Sequence, residues 1–124
     1  MSTIIATTLS NGSVSVPTAT VVNGSAKAWS NIDGTGTVSV LKSLNVASVT
    51  DRGTGQYTSN FSSGFTDANF LCLGTNSQAG DGAESVTSFD GVTTSNASYR
   101  VTNTANQGYL DKDRVYTMYS GDLA

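Results

Sequence analysis

The chain has 124 residues, of which only 12% are charged, and a formal net charge of −3. Its six basic residues are scattered, so no positive stripe follows a nucleic-acid backbone. Its longest apolar runs are far shorter than the ~20 residues that span a bilayer. These features argue against nucleic acid as the main partner and predict no membrane insertion.

Residues 1–25 predict a short extended arm rich in Ser and Thr. SVSVP and TATVV have the composition of strands, and Asn11-Gly12 and Asn23-Gly24 predict turns. We expect the arm to serve in attachment or in strand exchange, with its strands paired to another chain. The first ten residues lack the basic start and apolar core of a signal peptide.

Residues 26–124 predict a β domain. No window favours an amphipathic helix, whereas Val, Thr, Tyr and Phe are frequent. Apolar residues alternate with Ser, Thr and Asn, as at Tyr99 and Val101. The predicted strands are AKAWSNI, TVSVLKSL, NVASVTD, QYTSNFS, NFLCLG, SVTSFDG, ASYRVTNT and RVYTMYS. We therefore expect an all-β fold: an antiparallel β-sandwich or jelly-roll-like domain with a short extended N-terminal arm.

The sequence offers little catalytic chemistry. It contains no histidine, so the commonest general base and metal ligand are missing. Asp81 and Glu84 are a candidate carboxylate pair for glycoside hydrolysis, but their setting is more typical of a solvated loop. Asp111-Lys112-Asp113-Arg114 predicts a charged turn rather than a calcium site. We expect a protein that is not an enzyme and that holds no cofactor or metal.

Two single residues have alternative interpretations. Trp29, the only tryptophan, is more typical of a core or interface anchor than of a ligand-stacking platform. Cys72, the only cysteine, lies in the apolar run ANFLCLG. That setting favours a small buried hydrophobic residue over a reactive thiol, and one cysteine excludes an intrachain disulfide.

Ordered motifs in the middle half of the chain carry a resemblance to a known family. They are NGSAKAW at 23–29, DGTGTV at 33–38, the predicted hairpin NVASVTD-RGTG-QYTSNF at 45–61, and DANF at 67–70. Together they resemble a module of virion surface proteins from tailed phages, especially marine and cyanobacterial ones, that commonly forms the tip of tail fibres. Ser30 and Ile32 depart from the larger apolar residues usual in that module, and the match weakens after Gly74.

The resemblance implies a non-enzymatic, trimeric β module on the exterior of a phage particle, made in the cytoplasm of a bacterial host. A fibre needs a shaft, and the chain offers a short arm. We therefore expect a head decoration or knob protein bound to the major capsid protein. The alternative is a tail-fibre tip or tail adaptor that binds a tail component and a host receptor, such as a surface glycan. A small carbohydrate-processing enzyme is a third, disfavoured hypothesis.

The polar loop TNSQAGDGAE, at 75–84, is the candidate surface for a partner or receptor. Its predicted contact residues are Asn76, Gln78, Asp81 and Glu84.

Overall fold

The computed structural model describes residues 1–79 and 84–124. Within these residues the chain forms ten strands and one short helix. The elements in chain order are β1 (Thr8–Ser10), β2 (Ser15–Pro17), α1 (Thr18–Gly24), β3 (Ala28–Asp33), β4 (Ser39–Leu44), β5 (Val46–Gly53), β6 (Gln56–Phe61), β7 (Leu71–Ser77), β8 (Ser85–Val92), β9 (Asn96–Asn103) and β10 (Arg114–Ser120).

Strands β3 to β10 form two antiparallel four-stranded sheets that pack face to face. Sheet I has the order β4-β3-β10-β7, and sheet II has the order β5-β6-β9-β8. The inner faces of both sheets share one set of apolar side chains, as in a sandwich. The predicted all-β sandwich is confirmed, and each of its eight predicted strands overlaps an observed one.

The sandwich core has two neighbouring halves. One half contains Ala28, Val46, Phe65, Ala97 and Tyr119, and its edge is filled by further aromatic rings. The other half consists of Ile32, Tyr57, Tyr99, Val101 and Val115. The strand residues of both halves come from alternate positions, because successive side chains of a strand point to opposite faces, whereas Phe65 lies between β6 and β7.

A single residue connects β4 of sheet I to β5 of sheet II. Asn45 lies between β4 and β5 with a φ of 54°, a left-handed conformation that Asn tolerates better than most residues. Its side-chain oxygen accepts a hydrogen bond from the backbone N–H of Ser63 at 2.7 Å, and its amide donates to the Ser63 carbonyl at 2.9 Å. These bonds fix the corner between the sheets.

The predicted hairpin at 45–61 is confirmed as the antiparallel pair β5-β6. Its turn contains Gly53 with a φ of 121° and Gly55 with a φ of 62°. Glycine adopts such angles without the steric penalty of a side chain. The two glycines of RGTG therefore provide the left-handed backbone angles of this turn.

The N-terminal arm differs in part from the expectation. SVP forms the strand β2, and Asn11-Gly12 forms a turn, as predicted. The strand β2 pairs with β1 of its own chain, whereas we expected the strands of the arm to pair with another chain. TATVV, which has strand composition, instead belongs to helix α1. At the end of the helix the Lys27 ammonium donates to the Val22 carbonyl, and the backbone N–H of Ser25 donates to the Val21 carbonyl at 3.1 Å. The helix has no buried residue.

Candidate functional site

The outer face of sheet I carries a row of large apolar side chains. Met118 of β10 lies opposite Trp29 of β3 and Leu73 of β7, and Trp29 lies opposite Leu44 of β4. The row therefore crosses all four strands. Leu44, Leu73 and Met118 are exposed, and Trp29 is half-buried. Apolar side chains gathered on a solvent-facing surface are typical of contact surfaces, which makes this row the candidate site.

Further apolar groups extend this row. Tyr116 lies two residues from Met118 on the same side of β10, and Leu71 holds the equivalent position beside Leu73 on β7. Leu73, Thr75, Tyr116 and Met118 line a shallow apolar groove. We call the surface formed by Leu44, Trp29, Met118, Leu73, Leu71 and Tyr116 the apolar face.

Charges lie only at the margin of the apolar face, among the outward side chains that the structure describes there. Lys42 is on the edge strand β4, and Asp33 faces Arg114 at one end of the sheet. The hydroxyl and backbone N–H of Thr35, at 2.6 and 2.9 Å, lower the pKa of Asp33, and Arg114 adds a smaller effect. The centre of the face is therefore uncharged.

The outer face of sheet II is polar. Asp90 accepts from Arg52 at 3.0 Å and pairs with Arg100 at 3.2 Å, so one carboxylate lies between two guanidinium groups. Across the strands, Thr58 and Ser98 share a hydrogen bond of 2.8 Å. These groups suit contact with water, and the sandwich is therefore polar on one side and apolar on the other.

The N-terminal arm contains no charged side chain before Lys27. Ile4 and Ile5 are 94% and 93% exposed, and Leu9 and Val14 are also exposed. A two-stranded hairpin alone is at best marginally stable in water, and a seven-residue helix is well below the length that is stable alone. The arm thus lacks a packing surface of its own.

The two GTG tripeptides meet at one end of the sandwich. The hydroxyl of Tyr57 donates to Asp111 Oδ1 at 2.8 Å, and the backbone N–H of Gly55 donates to the same oxygen at 2.7 Å. Gly34 packs against the Tyr57 hydroxyl so closely that a Cβ there has no room. The charged segment at Asp111–Arg114 therefore leads into β10 as part of a structural junction, in which Lys112 is buried.

Five hydroxyl groups lie together between the sheets. Ser30 and Thr117 share a hydrogen bond of 2.8 Å, and Ser59, Tyr99 and Tyr119 surround it. Burial raises the pKa of Tyr99 to about 12, and nearby hydroxyls act weakly in the opposite direction. Burial likewise raises the pKa of Tyr119. The two phenols stay protonated at neutral pH and supply no base.

The predicted contact residues of the polar loop have different positions. Asn76 lies in β7, which extends to Ser77. Its amide donates to Thr87 at 2.9 Å, and its oxygen accepts from Ser85 at 2.5 Å, so it ties the edges of the two sheets together. Gln78 is half-buried, and the Glu84 residue is exposed.

Asp81 lies outside the described residues, so the structure gives no geometry for the Asp81–Glu84 pair. The Glu84 carbonyl accepts a hydrogen bond from the backbone N–H of Thr104 at 3.0 Å.

The structure places Trp29 and Cys72 on opposite sides of sheet I. Trp29 is in neither half of the core and lies half-buried in the apolar row, so it is not a core anchor, whereas the interface anchor and the ligand-stacking platform both stay predictions. Cys72 points inward from β7 and packs against the core, as expected of a small hydrophobic residue. Burial raises the pKa of its thiol to about 11, which lowers its reactivity.

Sequence reasoning did not identify the apolar face, although a signal was present. The segments AKAWSNI, NFLCLG and RVYTMYS carry large apolar residues at both odd and even positions. A strand that is apolar on both sides has both sides covered, whereas a strand with one wet side alternates. The three segments are the β3, β7 and β10 strands of sheet I.

Within residues 1–79 and 84–124, no group of three or more acidic or cysteine side chains is arranged to hold a metal ion. No helix in the same part of the chain has the length and apolar character to cross a membrane.

Comparisons of the chain with models of protein families, with curated proteins and with solved structures find no match. The resemblance to phage surface modules stays an expectation from the sequence.

Proposed function

We propose that this protein is a non-enzymatic structural protein of a tailed-phage virion, displayed on the particle exterior as a head decoration or knob. The observation that carries the proposal is the contrast between the two sides of the sandwich. Sheet II presents ion pairs and hydroxyl groups outward, whereas sheet I and the arm present uncharged apolar groups. A module that is bound on one side and exposed to water on the other has this polarity.

The arm supports attachment to the particle. Its 25 residues without a charged side chain and its exposed Ile4 and Ile5 suit contact with protein rather than with water or nucleic acid. In the proposed arrangement, the arm and sheet I face the assembled particle and sheet II faces outward. The major capsid protein is the proposed partner on the head.

The alternative is a tail-fibre tip or tail adaptor. The observation that favours it is the resemblance of segments 23–29, 33–38 and 45–61 to a module that is common at fibre tips. In this case the loops at the ends of the sandwich, including Gln78 and Glu84, face the host receptor.

Immunogold labelling of phage particles with antibody against the purified protein tests both proposals. Gold over heads supports the decoration protein, and gold restricted to tail ends supports the alternative. Inhibition of adsorption to host cells by the soluble protein adds support to a fibre tip. Particles that carry no gold, with antibody that recognises the native protein in solution, overturn both.

A further inference from the structure

The apolar face lies on a sheet surface of limited size. The outer side of sheet I, with its polar margin included, covers roughly 19 Å by 24 Å, or about 450 Å² in projection, since its four strands lie about 4.8 Å apart and seven residues rise about 3.4 Å each. The largest apolar patch of a monomeric protein measures about 300–600 Å², and such patches are commonly functional. A stable complex, however, buries about 800 Å² on each partner. The face alone is therefore too small for a stable partner that packs only on this sheet.

The apolar side chains of the arm, by contrast, have no surface of their own chain to pack against. The hairpin β1-β2 has two strands of three residues each, all exposed. Ile4 and Ile5 are almost fully exposed, so they are not on the apolar face of their own chain. Each chain thus carries one donor segment and one acceptor surface.

The two surfaces match in charge. Residues 1–26 carry no charged side chain, and the central row of the apolar face carries none either. An interface without charge pairs has no penalty from desolvated ions, and its attraction comes from apolar burial. The arm contributes the area that the sheet lacks. A second copy is the partner that supplies both surfaces in equal number.

We propose that the apolar face binds the N-terminal arm of a second copy of this chain, so that copies assemble by arm exchange. Ile4 and Ile5 of one copy pack against the row of Trp29 and Met118 on the next. Since the donor and the acceptor are different surfaces, the contact closes either as a reciprocal pair or as a ring. The inference rests on the proposed function in one respect, that sheet I is a covered side of the module; it assigns the direct cover of the apolar face to a second copy, and the assembled copies together then contact the particle.

Three variants of the full chain test the proposal. Met118→Asp places a carboxylate on the acceptor, and Ile5→Asp places one on the donor. Both positions are exposed, so the fold is retained. Val86→Asp is the matched control, because Val86 is 50% exposed on the outer face of sheet II and Met118 is 42% exposed on sheet I.

Multi-angle light scattering and sedimentation equilibrium give the masses in solution. We expect the wild type and Val86→Asp to assemble as multiples of 12.7 kDa. Each of the other two variants should weaken association by ~100-fold, since a carboxylate buried in an apolar contact is unpaired. A wild type that stays monomeric at 100 μM overturns the proposal, because this concentration is about a hundred times a micromolar dissociation constant.

Mixing the two defective variants identifies the geometry. Met118→Asp retains an intact arm and Ile5→Asp retains an intact face, so a mixed pair has one undamaged contact, whereas every contact of either variant alone is damaged. We expect the mixture to associate more tightly than either variant alone and more weakly than the wild type. Association that survives Ile5→Asp, or a mixture that associates no more tightly than the separate variants, contradicts arm exchange; the former result points to packing of two faces.

The result is separable from the virion proposal. Gold on particles with a monomeric protein in solution removes only arm exchange. Arm exchange in solution with unlabelled particles removes only the virion location.

Discussion

The hydroxyl of Tyr57 donates a hydrogen bond of 2.8 Å to the carboxylate of Asp111, which also accepts from Gly55. This contact joins the hairpin of sheet II to the segment that leads into β10 of sheet I. Desolvation raises the pKa of Tyr57, and the hydrogen bond to Asp111 raises it further. The phenol thus stays a donor throughout the physiological range and holds the two sheets together at this end.

Removal of this hydroxyl should destabilise the fold. Tyr57→Phe leaves the ring in the core but removes a donor to a carboxylate, which typically costs about 2 kcal/mol in the free energy of unfolding. Urea denaturation measures the change. Tyr116→Phe removes a hydroxyl from an exposed ring and should change stability by about 0.5 kcal/mol or less. Equal effects of the two substitutions would refute the role of the Tyr57–Asp111 contact.

Two glycines with the same φ distinguish the cost of backbone strain from the cost of a steric clash when each is replaced by alanine. Gly36 and Gly55 both have a φ of 62°. A Cβ at Gly36 meets no atom within 4 Å, whereas one at Gly55 lies 2.7 Å from backbone atoms of Leu110. Gly36→Ala should cost about 1 kcal/mol for the left-handed conformation. Gly55→Ala should cost at least about 2 kcal/mol more, because the backbone must move.

Thermal or urea unfolding of both glycine variants gives the comparison. Similar losses of stability at the two positions would mean that the turn at Gly55 does not dock against Leu110.

The buried tyrosines predict unfolding in alkali. The pKa of Tyr99 is raised from 10.0 to about 12, so the unfolded chain loses this proton at a lower pH than the folded chain. The stability is therefore full below pH 10 and declines as the pH rises through about 12, by roughly 2–3 kcal/mol from this residue alone. Urea midpoints at pH 8, 10 and 11.5 measure the decline.

Tyr99→Phe should flatten this alkaline decline while it leaves the contributions of the other buried tyrosines. An unchanged slope between pH 10 and pH 12 in this variant would show that Tyr99 does not retain its proton in the fold.

Cys72 should react slowly in the native protein. Its pKa is raised from 9.0 to about 11, so at pH 8 the thiolate fraction falls by about a hundredfold relative to an ordinary thiol. Reaction with an aromatic disulfide reagent should be at least that much slower in buffer than in 6 M guanidinium. Cys72→Ser gives the blank. A native rate close to the denatured rate would place the thiol in water.

Trp29 should report assembly through its fluorescence. It is the only tryptophan and lies in the apolar row. If the arm of a second copy covers the row, the emission shifts to shorter wavelength as the protein concentration rises. The Ile5→Asp variant should keep the emission of the dilute protein at every concentration. A concentration-dependent shift in this variant as well would assign the covering to something other than the arm.

The strands were predictable because their pattern is local. Alternation at Tyr99 and Val101, and the glycines of the RGTG turn, specify a strand and a hairpin from a few adjacent residues. The placement of Asn76 was not predictable in the same way, because β7 continues through polar residues that pair with β10, which is about 40 residues away. The helix at TATVV was not predicted, because the composition of this segment is typical of a strand.

The apolar face itself depends on a pairing of distant segments. Trp29 and Met118 are adjacent because the last strand inserts between β3 and β7, an order that no local pattern specifies. The composition of sheet I strands indicated two covered sides, but their order decided which side chains form the row. The sequence predicted an arm that pairs with another chain, but it gave no surface to receive that arm, because the receiving row forms only when distant strands pair.

The central position of β10 has a consequence for biosynthesis. Strands β3 and β7 have no ladder between them until residues 114–120 have left the ribosome, since β10 pairs with both. Met118 and Tyr116 are also the middle of the apolar face. A nascent or truncated chain therefore lacks the middle of the apolar face. In the arm exchange that we propose, such a chain can donate its arm but cannot accept the arm of another copy.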